Sequence, residues 1–231
     1  MKPIGLIGGI GPESTIDYYR AMIAAYRERQ PDGSYPPIVI SSVDVSSMLG
    51  ALMRNQLAEV ADLLVAEVER LEAAGAGCAA IAANSPHIVF DEVQRRSPLP
   101  LVSIVQATAH EAMRLGRKRL GLFGTRFTMQ GRFYENLFAL TGLTLILPDE
   151  TEQAYIHDKY MTELVRGILR PETRDGLLAI VAQMKAREGI DAVILGGTEL
   201  PLVLRDPTAS DIPLIDTTVV HAKAIVARAM L

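Results

Sequence analysis

Short β-rich runs alternate with longer helical patterns along the whole chain, and this alternation restricts the fold more than any other sequence feature. Between the second and third runs, residues 57–71 place Val60, Leu64 and Val68 on one helical stripe. Strands that alternate with helices in this way pair in parallel and are covered by the helices. We therefore predict an α/β fold. The predicted strands are residues 4–7, 38–43, 78–82, 101–104, 119–123, 144–147, 192–195 and 214–215.

The two halves of the sequence resemble each other imperfectly. In the first half, a strand leads into Gly8-Gly9-Ile10-Gly11-Pro12 and a later strand leads into Asn84-Ser85-Pro86-His87. In the second half, the corresponding strands lead into residues 124–128 and into Gly197-Thr198-Glu199. We predict two pseudo-symmetric α/β domains with mainly parallel sheets, residues 1–98 plus 211–231 and residues 99–210. Because ligands bind beyond the carboxyl ends of parallel strands, the four turns are expected to face one central cleft.

The composition of these turns suits a small carboxylate. Glycines around Ile10 let backbone N–H groups approach an anion, and Ser85 before Pro86 is typical of a helix N-cap with exposed amide donors. Threonine hydroxyls add neutral hydrogen-bond donors. Each of these features also occurs in ordinary turns and helix caps that bind nothing. The predicted binding residues are Gly9, Ile10, Gly11, Asn84, Ser85, Thr125, Thr128, Gly197 and Thr198.

Charge and composition exclude several other classes of protein. The net charge of −4 is spread over both halves, so the basic surface of a nucleic-acid-binding protein is missing. No run approaches the roughly 20 apolar residues that cross a bilayer, and a single cysteine cannot form an internal disulfide. We therefore expect a cytoplasmic protein without membrane contact. A dinucleotide-binding turn is disfavoured, because Ser14 stands where G-x-G-x-x-G requires glycine.

Taken together, these motifs resemble the aspartate/glutamate racemase superfamily, closest to its cofactor-independent amino-acid racemase branch. The resemblance implies two α/β domains around a cleft, usually in a homodimer, an amino acid or other small carboxylate as ligand, and neither pyridoxal phosphate nor metal. It also implies a pair of cysteine thiols that remove and return the α-proton, at the positions held here by Ala83 and Gly197. The segments that carry the resemblance are residues 4–14, 42–44, 84–87, 124–129, 156–157, 163–164 and 197–199.

Neither Ala83 nor Gly197 can transfer a proton, so racemisation by two thiols is not expected. The candidate replacements are Glu199, His87 and Asp44. Each has a structural alternative: Glu199 and Asp44 can accept backbone hydrogen bonds, and His87 can be a buried residue that satisfies its turn.

Three functions remain open: a racemase of unusual mechanism, a decarboxylase, isomerase or lyase that stabilises an enolate, and a carboxylate-binding protein without catalysis. No metal-ligand spacing is visible, and Cys78, at the start of its strand, is expected to be a core thiol.

Overall fold

The computed structural model describes residues 1–206, 208 and 210–231 and confirms the α/β fold. The strands are β1 Ile4–Gly8, β2 Ile38–Ser42, β3 Cys78–Ile81, β4 Leu101–Val102, β5 Arg119–Gly124, β6 Thr144–Ile146, β7 Ala192–Gly196 and β8 Leu214–Asp216. The helices are α1 Pro12–Arg27, α2 Val45–Met53, α3 Leu57–Ala73, α4 Phe90–Arg96, α5 Ile104–Arg114, α6 Arg126–Gln130, α7 Phe133–Ala139, α8 Glu150–Thr162, α9 Pro171–Glu188, α10 Pro201–Leu204 and α11 Thr217–Ala229. Two 3-10 helices span Ser85–Val89 and Leu164–Arg166.

The chain forms two compact units, residues Met1–Ile104 with Thr218–Leu231, and Val105–Thr217. The predicted domains are residues 1–98 plus 211–231 and residues 99–210. In the structure, the first segment of the first unit ends at Ile104 instead of residue 98, and its second segment begins at Thr218 instead of residue 211. The reason is strand pairing, because β4 pairs with β3 in the first unit and β8 pairs with β7 in the second. Neither two-residue β4 nor three-residue β8 carries a sequence signal for the sheet to which it belongs.

The first unit has a four-stranded parallel sheet in the order β2-β1-β3-β4. Strand β1 is buried over its whole length, as expected for a central parallel strand with a helix on each face. Its Ile4 and Leu6 pack with Tyr18 and Met22 of α1 and with Ile225 of α11. The C-terminal helix therefore completes the core of the first unit.

The second unit repeats this arrangement with a parallel sheet in the order β6-β5-β7-β8. Phe123 of β5 and Val193 of β7 pack with Ile156 of α8 and with Leu177 and Met184 of α9. Because the two sheets share one strand order, the weak internal repeat of the sequence corresponds to a structural repeat. Within the described part of the chain, no helix has the length and apolar character needed to span a membrane.

Candidate functional site

The turn after β1 is a tight strand-to-helix connection. Gly9 has a φ of 81°, and a Cβ added to it would lie 2.7 Å from the backbone nitrogen of Val43. Its amide donates to the Thr15 hydroxyl over 2.9 Å. Gly11, with a φ of 107°, precedes Pro12 at the start of α1. The sequence pattern of this turn is therefore accounted for by backbone geometry, and the Gly9 amide already has a partner.

The turn after β3 carries Ala83 and Asn84, which are both buried, followed by Ser85. The expected helix begins one residue earlier than predicted, with Asn84 at the N-cap position and Ser85 as the first residue of a 3-10 helix. The cause is the hydrogen bond from the His87 amide to the Asn84 carbonyl, which closes a turn of 3-10 type.

His87 is held between two backbone groups of the first unit. Its Nδ1 donates to the Ala83 carbonyl over 2.9 Å, and its Nε2 accepts from the Ile104 amide over 3.2 Å. The ring stacks on Phe90 with centroids 5.0 Å apart. Burial, with a smaller contribution from nearby His221, lowers the pKa of His87 to about 3. This geometry favours a neutral imidazole that holds the turn rather than one that exchanges protons.

Asp44 is exposed at the N-cap of α2. Its carboxylate accepts from the Ser46 amide over 2.9 Å and from the Ser46 hydroxyl over 2.6 Å. These hydrogen bonds, the side-chain bond first, lower the pKa of Asp44. A base for α-proton removal needs a raised pKa, so the contacts of Asp44 suit the structural alternative better.

The turn after β5 is built on the hydroxyl of Thr125. This side chain caps α6 by accepting from the Thr128 amide over 3.3 Å, and its hydroxyl also lies 3.3 Å from that of buried Thr128. The Arg126 amide of the same turn donates to His157 Nδ1 on α8 over 3.2 Å. The two predicted threonines are thus neighbours at the carboxyl end of β5.

The turn after β7 brings three polar side chains together inside the second unit. The Glu199 carboxylate accepts a hydrogen bond from the Thr198 hydroxyl over 2.9 Å and another, to the same oxygen, from the Tyr160 hydroxyl of α8. Glu199 and Thr198 are 5% exposed and Tyr160 is 6% exposed. Burial first, and then the adjacent carboxylate, raises the pKa of Tyr160 well above its ordinary value. Tyr160 was absent from the residues predicted from the sequence.

Gly197 leaves room for the ring of Tyr160. A Cβ added at position 197 would overlap this ring, with Cζ at 2.9 Å and the hydroxyl oxygen at 3.0 Å. The φ of Gly197 lies outside the left-handed range, so backbone conformation does not require glycine here. The phenol therefore occupies the space into which a side chain at position 197 would project.

Cys78 is the first residue of β3, at the opposite end of the strand from the turn that carries Ala83. Its side chain is buried, and this burial raises the pKa of the thiol. Among the residues that the structure describes, no group of three or more His, Cys, Asp or Glu side chains is arranged to hold a metal ion.

Comparisons with known proteins agree with this architecture. Residues 7–225 match the sequence model of the Asp/Glu/Hydantoin racemase family. The broad-specificity amino-acid racemase RacX of Bacillus subtilis is 26% identical over 232 residues, which cover 96% of each chain. The crystal structure of an aspartate racemase homologue from Pyrococcus horikoshii is 33% identical, with a TM-score of 0.88 over 100% of both chains. An aspartate racemase of Picrophilus torridus, 21% identical, shares the fold with a TM-score of 0.79 over 100% of this chain and 95% of its own.

Proposed function

Because the chain belongs to the Asp/Glu/hydantoin racemase family, we propose that it binds a small amino or dicarboxylic acid at the carboxyl ends of its strands, in a cleft between the two units. The full-length similarity to an amino-acid racemase supports a ligand of this class. Asn84, Ser85, Thr125 and Thr128 supply neutral hydrogen-bond donors at two of these strand ends, which suits a carboxylate. The Gly9-Ile10-Gly11 turn brings backbone into the same region of the first sheet.

We propose further that this protein does not racemise by the two-thiol mechanism. The observation that carries this proposal is the pair of residues at the implied thiol positions. Ala83 and Gly197 have no titratable group, and the space beside Gly197 is filled by Tyr160. Cys78 does not substitute for either thiol, because it is buried at the opposite end of its strand from the Ala83 turn.

A second candidate function is enolate chemistry with proton transfer on one side only, as in a decarboxylase, isomerase or lyase. It is favoured by the unequal chemistry of the two positions. A carboxylate and a phenol stand next to position 197, whereas position 83 is an alanine whose neighbour His87 has both ring nitrogens engaged. Racemisation needs groups on both faces of the α-carbon, but decarboxylation followed by protonation needs only one.

The resemblance also supports a homodimer in the cytoplasm that needs neither pyridoxal phosphate nor metal. Light scattering after gel filtration measures the assembly, and a mass of one chain would contradict the dimer. Dialysis against a chelator tests whether a metal is needed. Ligand binding and turnover are expected to persist after dialysis, and their loss would contradict a metal-free site.

Ligand binding is the first test of the proposed function. Titration calorimetry with L- and D-aspartate, L- and D-glutamate and malonate is expected to detect binding of at least one acid. Asn84→Ala and Ser85→Ala are expected to weaken that binding about tenfold, the loss of one hydrogen bond to a charged group. Exposed Asn136→Ala is the matched control and should bind as the wild type does. Absence of binding across the panel would refute the proposal.

A further inference from the structure

The contacts of Tyr160 and Glu199 point to a pair that transfers protons. The phenol and the carboxylate are joined by a direct hydrogen bond and lie immediately beyond the carboxyl end of β7. Ligands of open α/β sheets bind at this edge. The Thr198 hydroxyl holds the same carboxylate oxygen, so that the carboxylate is fixed in orientation towards the phenol.

The Tyr160 hydroxyl lies close to the point where a side chain of residue 197 would begin. The hydroxyl oxygen would lie 3.0 Å from a Cβ at position 197, which is the place from which a side chain of this residue would reach a ligand. Tyr160 as a residue is 6% exposed and lies on α8, which packs on the second sheet, so its hydroxyl has little freedom to move elsewhere. The phenol of Tyr160, on α8, therefore lies where a short side chain of residue 197 would otherwise lie.

We propose that Tyr160 and Glu199 form a proton relay that serves one face of the bound acid. The phenol oxygen accepts the proton of the acid's α-carbon while its own proton passes to the Glu199 carboxylate. The C–H electron pair remains on the ligand as an enolate, the tyrosine stays a neutral phenol, and Glu199 becomes a carboxylic acid. The reverse transfer returns a proton to the same face. No oxidant or further reactant is required.

A relay fits this pair better than a phenolate base does. Burial and the neighbouring carboxylate raise the pKa of Tyr160 well above its ordinary value, so a phenolate does not accumulate at neutral pH. In the relay, a new phenol O–H bond forms as the C–H bond of the ligand breaks, and an O–H bond forms on Glu199 as the original phenol O–H bond breaks, so the only charge change in the protein occurs on Glu199. A hydrogen bond that already runs from phenol to carboxylate is oriented for that transfer.

This inference rests on the proposed function and predicts a stereochemical result. Because only one face is served, an amino acid that binds will exchange its α-proton with solvent deuterium and retain its configuration. Proton NMR in D₂O measures the exchange, and chiral chromatography of the same sample measures the configuration.

The test compares three variants in binding and in exchange. Tyr160→Phe and Glu199→Gln are expected to lower exchange at least about 100-fold while the ligand dissociation constant changes less than threefold. Tyr134→Phe is the matched control, since Tyr134 is another buried tyrosine of the second unit; it should exchange at the wild-type rate.

Wild-type protein that binds an acid but does not exchange its α-proton would overturn the relay and leave the proposed function standing. Exchange at the wild-type rate in Tyr160→Phe would also overturn it. Failure of the wild type to bind any acid of the panel would instead overturn the proposed function, and with it the relay. A fold control by circular dichroism accompanies each variant, and Tyr160→Phe adds no atom to the packed site.

Discussion

At the residue scale, the pairing of Gly197 with Tyr160 shows why one position cannot be interpreted without the other. A glycine next to a strand end is often required by a positive φ, but Gly197 is not in that region. What it supplies is space for an aromatic ring from a different element. Position 197 and position 160 are therefore expected to be energetically coupled.

Gly197→Ala is expected to destabilise the protein by about 1–3 kcal/mol, because its methyl group forces the Tyr160 ring to move within a packed site. Urea unfolding measures the change. The matched control is Gly50→Ala on α2, where a new Cβ approaches only the flexible guanidinium of Arg54, at 3.2 Å. This control is expected to be neutral or stabilising by up to ~1 kcal/mol.

The coupling itself is measured by a double-mutant cycle with Tyr160→Val. In the smaller background, Gly197→Ala should cost less than in the wild type, with an interaction energy of about 0.5–3 kcal/mol. Strict additivity of the two substitutions would show that the ring and position 197 do not compete for the same space.

Glu199 could be predicted as a candidate site residue from the sequence, but its partner Tyr160 could not, because the two residues are far apart along the chain. Glu199 follows a predicted strand within a short motif, whereas Tyr160 is 39 residues earlier on a helix without a recognisable signal at that position. Only the packing of α8 on the second sheet brings them together. Conversely, the alternatives for His87 and Asp44 differ only in their hydrogen-bond partners, which a sequence does not contain.

At the scale of elements, the strands of the described residues could all be predicted, because short β-rich runs bounded by turns mark both the buried strands such as β1 and the partly exposed edge strands such as β2. Their ends differ by one or two residues, since pairing rather than composition ends a strand. The helix after β3 also starts one residue earlier than its Ser-Pro sequence suggests, because the His87 amide bonds to Asn84. Local backbone hydrogen bonds decide such details.

Two buried histidines of the first unit make its stability depend on pH. The pKa is lowered from 6.5 to about 3 for His87 and to about 4 for His221, chiefly by burial. Between pH 6.5 and these values the unfolded chain binds more protons than the folded one, so stability falls as pH falls. The slope of the free energy of unfolding against pH is expected to approach ~1.4 kcal/mol per pH unit for each histidine.

Urea unfolding from pH 7 to pH 4.5 checks this dependence. His87→Gln removes one titrating group and should reduce the slope by about one such contribution. His110→Gln is the control for replacing an exposed histidine, here one on α5. A stability that stays constant over this range would contradict the lowered pKa values.

Helix α8 carries Tyr160, and its first turn is held by a reciprocal cap between Asp149 and Glu152. Asp149→Ala is expected to reduce the free energy of unfolding by about 1 kcal/mol. Asp158→Ala, at an exposed position in the interior of the same helix, should change it by less than ~0.5 kcal/mol. Thermal unfolding measures both changes. If the two substitutions have equal effects, the cap does not contribute specifically to the free energy of unfolding.

At the scale of the whole molecule, the repeated strand order places Ala83 and Gly197 in related positions, each shortly after the strand that is third in its sheet. The family resemblance implies a thiol at both. Each unit contains one of these positions, and neither Ala83 nor Gly197 carries an acid/base group. Restoring both groups then tests the arrangement of the entire protein, because neither unit contains the complete pair.

The restoring variant is Ala83→Cys with Gly197→Cys and Tyr160→Ala, the last change giving the new thiol the space that the ring occupies. It is expected to racemise an acid that the wild type binds, at least ten times faster than either thiol alone, since a positioned acid or base contributes roughly 10²–10⁴-fold. Circular dichroism of the amino acid follows the reaction. Tyr160→Ala combined with only one of the two cysteines serves as the control, because the relay is then absent and a single face is supplied, so racemisation should be at least ten times slower. If both thiols react with iodoacetamide and the ligand still binds, yet its configuration does not change, the two positions do not face one ligand and the proposed cleft is wrong.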